Sequence, residues 1–257
     1  MKILILSDIH GNLQALKEVF NNVLDIDMIF FLGDYITDIP CSHEVIEFLK
    51  VKMAKYKSYI IRGNREDYII HYDETKDKNW SLENNTANLL FTYNSLTKED
   101  LDFIKNLKKE EEVNIYGYKI LLTHKYIENN NYDIVLYGHT HLEEYKIIDN
   151  TRYLNPGSIG LPNGTNKMSY LILEIDEKNI NAFFYRMEYN YLKVVETIKN
   201  SKLMNLKIRW GDVLIKDIKT GIPYTSYYVD KAKELAKDKD NITLDIWEEA
   251  YKKLDDF

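Results

Sequence analysis

Five short stretches carry side chains of the types that can ligate metal ions. Asp8-Ile9-His10 sets a carboxylate and an imidazole two residues apart, and Gly138-His139-Thr140-His141 sets two imidazoles two apart. Side chains two apart on an extended segment point the same way, so each pair can hold one ion together. Gly33-Asp34 adds a carboxylate, Gly63-Asn64 an amide and His124 an imidazole. Carboxylate, imidazole and amide without thiolate suit hard-to-borderline divalent ions such as Mn, Fe, Zn, Co or Ni. Each fragment alone also has a plain reading. Gly33-Asp34, Gly63-Asn64 and Asn155-Pro156-Gly157-Ser158 read as turns, His124 as a structural histidine and Asn12 as a helix cap. The His139/His141 pair resists this, because two imidazoles directly after a buried strand are costly unless they bind something. His43 and His71 sit in polar surroundings and read as surface residues.

Buried strands must position these residues. Apolar runs at 3–6, 28–32, 59–61, 118–123 and 134–137 predict strands, each running into one of the ligand-type stretches. A helical pattern follows the first, with Leu13, Leu16, Val19, Phe20 and Val23 on one face. Ser42 can cap another that carries Val45, Ile46, Phe48 and Leu49. Alternation of strand and helix through residue 66 is βαβ logic, with a site where the carboxyl ends of the strands converge. Residues 67–109 read as mostly helical, with candidates at 85–96 and 97–107 and a polar surface loop at 73–79. Thr97 and Asp100 have capping-box spacing. Hairpins at 112–123, 145–154 and 170–185 predict a second sheet packed on the first. From about residue 190 the pattern is helical again, clearest at 224–235 and 243–254. The expected division is a domain at 1–195 and a helical appendage at 196–257.

Composition narrows the class. The chain is 45% hydrophobic and 29% charged, as globular proteins are. Its net charge of -7 comes without a basic stripe, so no nucleic-acid polymer is expected as partner. A small anionic substrate remains compatible, because metal ions dominate the local field. Cys41 is the sole cysteine, which excludes an intramolecular disulfide and a cysteine-rich zinc cage. The apolar run at 3–6 is too short for a signal peptide or a membrane span, so a cytoplasmic chain with no membrane partner is expected.

In their order, Asp8-x-His10, Gly33-Asp34, Gly63-Asn64, His124 and Gly138-His139-x-His141 resemble the calcineurin-like metallophosphoesterase superfamily, over about residues 1–190. Asn155-Pro156-Gly157-Ser158 is similar to the small prokaryotic branch. The resemblance implies an α/β fold, a four-layer αββα sandwich of two mixed sheets, and two divalent metal ions as cofactor. It implies that Asp8, His10 and His141 hold the first ion, that Asn64, His124 and His139 hold the second, and that Asp34 bridges them. Two such ions share a water, lower its pKa and clamp a phosphate, so that hydroxide attacks phosphorus in line with the leaving oxygen. Asp34, Asn64 and Arg65 are then the catalytic residues, Asn12 and Arg65 the substrate contacts, and Glu66 is placed to orient a ligand histidine.

One position departs from the family. Its members usually show Gly-Asn-His-Glu, and the histidine steadies the transition state or protonates the leaving group; this chain has Arg65. Arginine keeps its proton, so it cannot serve as general acid, but it can neutralise charge on a phosphoryl oxygen. The C-terminal stretch, with Tyr224, Tyr227 and Tyr228 close together, resembles bacterial dinucleoside-tetraphosphate hydrolases of the superfamily. That favours a nucleotide or dinucleoside polyphosphate as the small-molecule substrate. The appendage reads equally as a layer packed on the core or as a contact in a homo-oligomer. The alternatives are a phosphodiesterase, a protein phosphatase, or an inactive scaffold of the same fold. Scaffolds tend to lose ligands, whereas all seven positions are filled here.

Overall fold

The strand that leads to Asp8 lies at the centre of its sheet. β1 (Lys2–Leu6) is followed by α1 (Leu13–Asn22), β2 (Met28–Phe31), α2 (Ser42–Lys55) and β3 (Lys57–Ile60). β1 pairs in parallel with β2, and β2 with β3. The computed structural model describes residues 1–236 and 242–256; the parts of the expected helical stretch at 237–241 and 257 lie outside them. Next come α3 (Asn64–Thr75), α4 (Ala87–Ser95) and α5 (Lys98–Lys105). The strands β4 (Glu110–Ile115), β5 (Tyr118–Thr123), β6 (Ile134–Leu136), β7 (Glu143–Ile148) and β8 (Thr151–Pro156) then form the second sheet, in the order β4-β5-β6-β8-β7. β9 (Met168–Ile175) and β10 (Ile180–Met187) return to the first, whose order is β10-β9-β1-β2-β3. Both sheets are mixed and stack face to face, and the helices pack on the outer face of the first.

Strand alternation divides the core in two. Ile3, Ile5 and Phe30 point inward against Ile120, Leu122, Ile134 and Leu136 of the facing sheet. Leu4, Leu6, Ile29 and Phe31 point outward, against Leu16 and Val19 of α1 and Val45 and Leu49 of α2. Strands buried on both faces read as continuous apolar runs, which is why β1 and β2 were legible. On the outer face of the second sheet Tyr137 and Tyr153 are buried, and the Tyr126 ring lies 5.3 and 5.4 Å from theirs.

Local chemistry sets the helix ends. Thr97 accepts from the Asp100 N–H, and the Asp100 carboxylate accepts from the Thr97 N–H, a capping box completed by aspartate. The loop expected from residue 73 starts later, because Asp73 is bound by Lys76, Lys105 and Tyr93 and α3 continues to Thr75. His43 is less free than a surface residue, with Nδ1 2.8 Å from the Asp100 carboxylate, which ties α2 to α5.

The C-terminal helices are α6 (Tyr191–Lys199), α7 (Trp210–Thr220), α8 (Tyr224–Leu235) and α9 (Leu244–Lys252). Their Leu214, Ile218, Tyr228 and Trp247 belong to the same buried cluster as Leu4 and Leu6 of β1. The helices therefore extend the core of the first sheet. The loop after β8 is tied to the end of α7, where Gly164 N–H donates to the Gly221 carbonyl at 2.8 Å. No described helix is long and apolar enough to cross a membrane.

Candidate metal centre

The turns that follow β1, β2, β3, β5 and β6 meet at one edge of the sandwich and are bonded to one another. Asp8 N–H donates to Gly33 O, His10 N–H to Asp34 O, and Gly138 N–H to His124 O. Asp8, His10 and His141 bring ligand atoms within 4.8 Å of one another, and so do Asp34, His124 and His139. Asn64 joins the second group, its Oδ1 3.1 Å from His124 Nε2. Asp34 Oδ2 lies between the groups, 3.8 Å from His10 Nε2 and 3.4 Å from His124 Nε2. The structure thus brings all seven expected ligands together.

Polar contacts on the far side of His10, His124, His141 and Asp8 decide which atom faces inward. His124 Nδ1 is 2.7 Å from Leu32 O and His141 Nδ1 is 2.6 Å from Leu161 O. A ring nitrogen against a carbonyl carries the proton, so Nε2 of both rings presents a lone pair. His10 Nδ1 is 3.0 Å from Asp38 Oδ2, which turns its Nε2 inward too. Asp8 Oδ2 accepts from Ser7 Oγ at 2.6 Å and from His139 N–H at 3.0 Å. Its Oδ1 is left buried without a hydrogen-bond partner, 3.3 Å from His141 Nε2.

This donor set fits a divalent cation. His10 Nε2 and His141 Nε2 are 3.0 Å apart beside that orphaned carboxylate oxygen. Imidazole nitrogens and carboxylate oxygens gathered this closely need positive charge among them, supplied by protons or by a metal ion, and a buried carboxylate oxygen without a partner is costly. The charges are interdependent. Burial pushes the His10 imidazole down, but the neighbouring Asp38 and Asp8 carboxylates outweigh it and lift the group to about 9. His124 is lifted to about 10, against burial, by the charge and hydrogen bond of Asp34. Burial would raise Asp8 and Asp34, yet neighbouring histidines hold both below the usual carboxylate range. A cation entering here must displace protons.

The backbone is strained around the same residues. Asp8, His10, Asp34, His139 and His141 have φ of 54°, 49°, 55°, 72° and 60°, all left-handed. Non-glycine residues in sparsely populated conformations cost about 1–3 kcal/mol each and gather at functional sites. Glycines beside them allow close approach. A Cβ on Gly138 would sit 1.9 Å from Ser7 Oγ and 2.6 Å from Asp8 Oδ2, and one on Gly63 would sit 2.2 Å from Asp34 Oδ1.

Two expected roles need correction, and one residue was missed. Among the described residues Glu66 makes no hydrogen bond to a histidine; it is buried and accepts from the N–H groups of Gly63, Asp34 and Tyr35 at 2.8, 2.9 and 2.9 Å. It steadies the backbone beneath Asp34. Asn12 is fully buried rather than placed for substrate: Oδ1 caps α1 through Ala15 N–H at 3.0 Å, and Nδ2 donates to Gly160 O at 3.1 Å. The missed residue is Asp38, four positions after Asp34 in the same turn. It is buried, bonds His10, accepts from Asn88 Nδ2 at 2.8 Å, and lies 3.5 Å from Arg65 Nη2. The signal was a second aspartate in a turn already marked by a ligand.

Arg65 opens the first turn of α3, where its N–H donates to Asp34 Oδ1 at 2.8 Å. Burial disfavours its charge, but Asp38 and Asp34 outweigh that and keep the guanidinium protonated. Asp38→Asn is expected to weaken divalent-ion binding at the Asp8, His10 and His141 group about 10–100-fold, the usual cost of losing a partner behind a ligand histidine. Manganese titration followed by calorimetry checks this; equal weakening at the Asp34, His124 and His139 group would contradict it.

The ligands open onto a cavity of about 710 Å³. Residues 1–178 match the calcineurin-like phosphoesterase superfamily domain. The protein MJ0912 of Methanocaldococcus jannaschii is 30% identical over 235 residues, covering 78% of this chain and 93% of that protein. Phosphodiesterase YfcE of Escherichia coli is 24% identical, covering 71% of this chain and 92% of that protein. A metallophosphoesterase structure from Sphaerobacter thermophilus superposes with a TM-score of 0.66 at 23% identity, covering 86% of this chain and 99% of the other, which is a likeness of fold.

Proposed function

Because the chain belongs to the calcineurin-like phosphoesterase superfamily, we propose that it hydrolyses a small phosphorylated molecule with two divalent metal ions, nucleotides and dinucleoside polyphosphates being favoured. The observation that supports this most is the position of Asp34 Oδ2 between two complete ligand groups. Asp8, His10 and His141 would hold one ion, Asn64, His124 and His139 the other, and Asp34 both. When bound, such ions supply Lewis acidity and lower the pKa of water.

The chain's own residues supply the rest. Arg65 borders the cavity beside Asp34 and offers a permanent positive charge to a phosphoryl oxygen. Asn64 also borders it and can donate from its amide NH2 while its oxygen faces His124. Asp38 holds His10 and draws on Arg65, so it links ligand and phosphate contact. A diester is the second reading, favoured by the Escherichia coli relative named as a phosphodiesterase.

The deciding experiment strips the protein with a chelator and measures product release. Monoesters, diesters, nucleotides and dinucleoside polyphosphates are each tried with added Mn, Fe, Zn, Co or Ni. Activity should vanish on stripping and return with at least one metal, and manganese-loaded protein should carry two ions per chain. Turnover that survives stripping, or no turnover with any metal, overturns the reading.

A further inference from the structure

One end of the sandwich is closed and the other is open. At the closed end β3 leads into Ile61, which bridges to Lys108 just before β4, and Arg62 N–H donates to the Lys108 carbonyl at 2.8 Å. The open end is bounded by β10 in the first sheet and β7 in the second, each paired on one side only among the described residues. Arg186 Nε donates to Glu143 Oε1 across it at 2.7 Å. Tyr145 and Ile147 of β7 share the inward face with Leu154 of β8, yet they are 50% and 58% exposed. Apolar side chains that face the core and still meet solvent mark a core cut short at this end.

β10 lacks the devices that keep an edge strand single. It pairs with β9 residue for residue without a bulge, and Ile180 to Tyr185 contains no charge, proline or glycine. Phe183 and Tyr185, on its outer face, are 43% and 41% exposed. Both edges also match a copy of themselves. A two-fold axis perpendicular to a sheet pairs edge strands antiparallel and leaves each face on its own side, so one residue of each strand lies on the axis. With Tyr145 there, Glu144 faces the partner's Lys146, and Lys146 faces the partner's Glu144. These two side chains are 3.1 Å apart within one chain, so the pairing makes a ring of alternating charge. With Phe184 on the axis, Phe183 faces the partner's Tyr185, an aromatic pair made twice. One axis serves both strands. β7 runs away from the ligand edge and β10 toward it, and from the Glu143–Arg186 contact Tyr145 and Phe184 each lie two residues further from that edge.

We propose that the open end is the interface with a second copy of this chain, in which β10 pairs with the partner's β10 and β7 with the partner's β7, so that each five-stranded sheet continues into its counterpart. Tyr145 and Ile147 are then covered, and both free edges find backbone partners. The inference goes beyond the phosphoesterase reading and is independent of it, since it needs neither metal nor substrate.

In the analytical ultracentrifuge the full chain should sediment as a dimer, with a dissociation constant of about 1 μM or tighter. Tyr145→Cys sets two thiols against each other at the axis and should give a disulfide-linked dimer on mild oxidation. Ile147→Cys, which faces the partner's Glu143, should not. The wild type, whose lone Cys41 precedes α2, is the control. Lys146→Glu sets like charges across β7 and should weaken the dimer about tenfold or more. Combining it with Glu144→Lys restores opposite charges and should recover most of the loss. The cysteine variants carry the test if either charge variant lowers the melting temperature. A dimer linked through Tyr145→Cys and not through Ile147→Cys is the expected outcome. A dimer that Tyr145→Cys does not link, or that Ile147→Cys links equally well, has another interface and overturns the proposal. A monomer at every concentration also overturns it, and leaves the open end to a foreign strand.

Discussion

Replacing Asp34 by asparagine is expected to lower turnover by at least about 10²–10³-fold, the scale of losing one fixed electrostatic contact to a transition state, while the protein stays folded. The carboxylate has two separate duties. Oδ1 accepts from Arg65 N–H, and the oxygen of an asparagine can do the same. Oδ2 faces His10 and His124 Nε2 from between the two ligand groups. An amide there points N–H bonds at imidazole lone pairs. That arrangement suits the metal-free protein, but it places donors where cations must sit and removes the shared negative charge. Turnover, ion content and circular dichroism together check the prediction. A folded variant with one ion or none and little activity is the expected outcome. Near wild-type turnover removes Asp34 from the shared position.

The second large effect concerns the leaving group. Hydrolysis of an alkyl phosphate expels a basic alkoxide that needs a proton in the transition state, and general acid catalysis there is worth roughly 10²–10⁴-fold. Arg65 cannot provide it, since Asp38 and Asp34 hold its proton still more firmly than usual. Anhydrides and aryl esters expel weak bases that leave unprotonated, and what they need is charge neutralisation from a planar guanidinium. The wild type is therefore expected to prefer a nucleoside polyphosphate or an aryl phosphate to an alkyl monoester. Arg65→His should shift the kcat/KM ratio toward the alkyl ester, and Arg65→Ala should depress the anhydride most. Comparing the three substrates across the three proteins gives the answer. If alkyl monoesters are handled as well as anhydrides, or Arg65→Ala affects all three equally, leaving-group basicity does not govern this site.

The ligands were readable because they are chemically distinctive and stand directly after apolar runs that have few other interpretations. Their conformation was not. Nothing in local propensity predicts left-handed aspartates and histidines at five ligand positions, because that geometry is imposed by bonds between turns. The errors share a cause. Asn12 lies beside the ligands in sequence, but its amide is committed to Gly160, 148 residues away. Glu66 serves backbone N–H groups of a different turn, 31 and 32 residues earlier. Asp38 gained meaning only when His10 and Arg65 were seen on either side of it. The C-terminal helices showed an apolar face in the sequence, but not that it would cover the first sheet and wall the cavity, so deleting them would strip the core as well as the pocket.

The position of β1 has a consequence for how the site comes into being. Ile3 pairs with Met28 on one side and with Leu173 on the other. β1, made before β2 and β9, is thus flanked on one side only until nearly the whole sandwich has been synthesised. At about 5–20 residues per second that interval is on the order of ten seconds. For most of it Asp8 and His10 have no His139 or His141 to meet, and an ion arriving early finds an incomplete set of donors. Closing contacts so distant in sequence is slow, because chain entropy must be lost before the contacts can form. The full set of ligands is therefore expected to assemble late in folding, so tight capture of an ion at this edge would close folding rather than seed it.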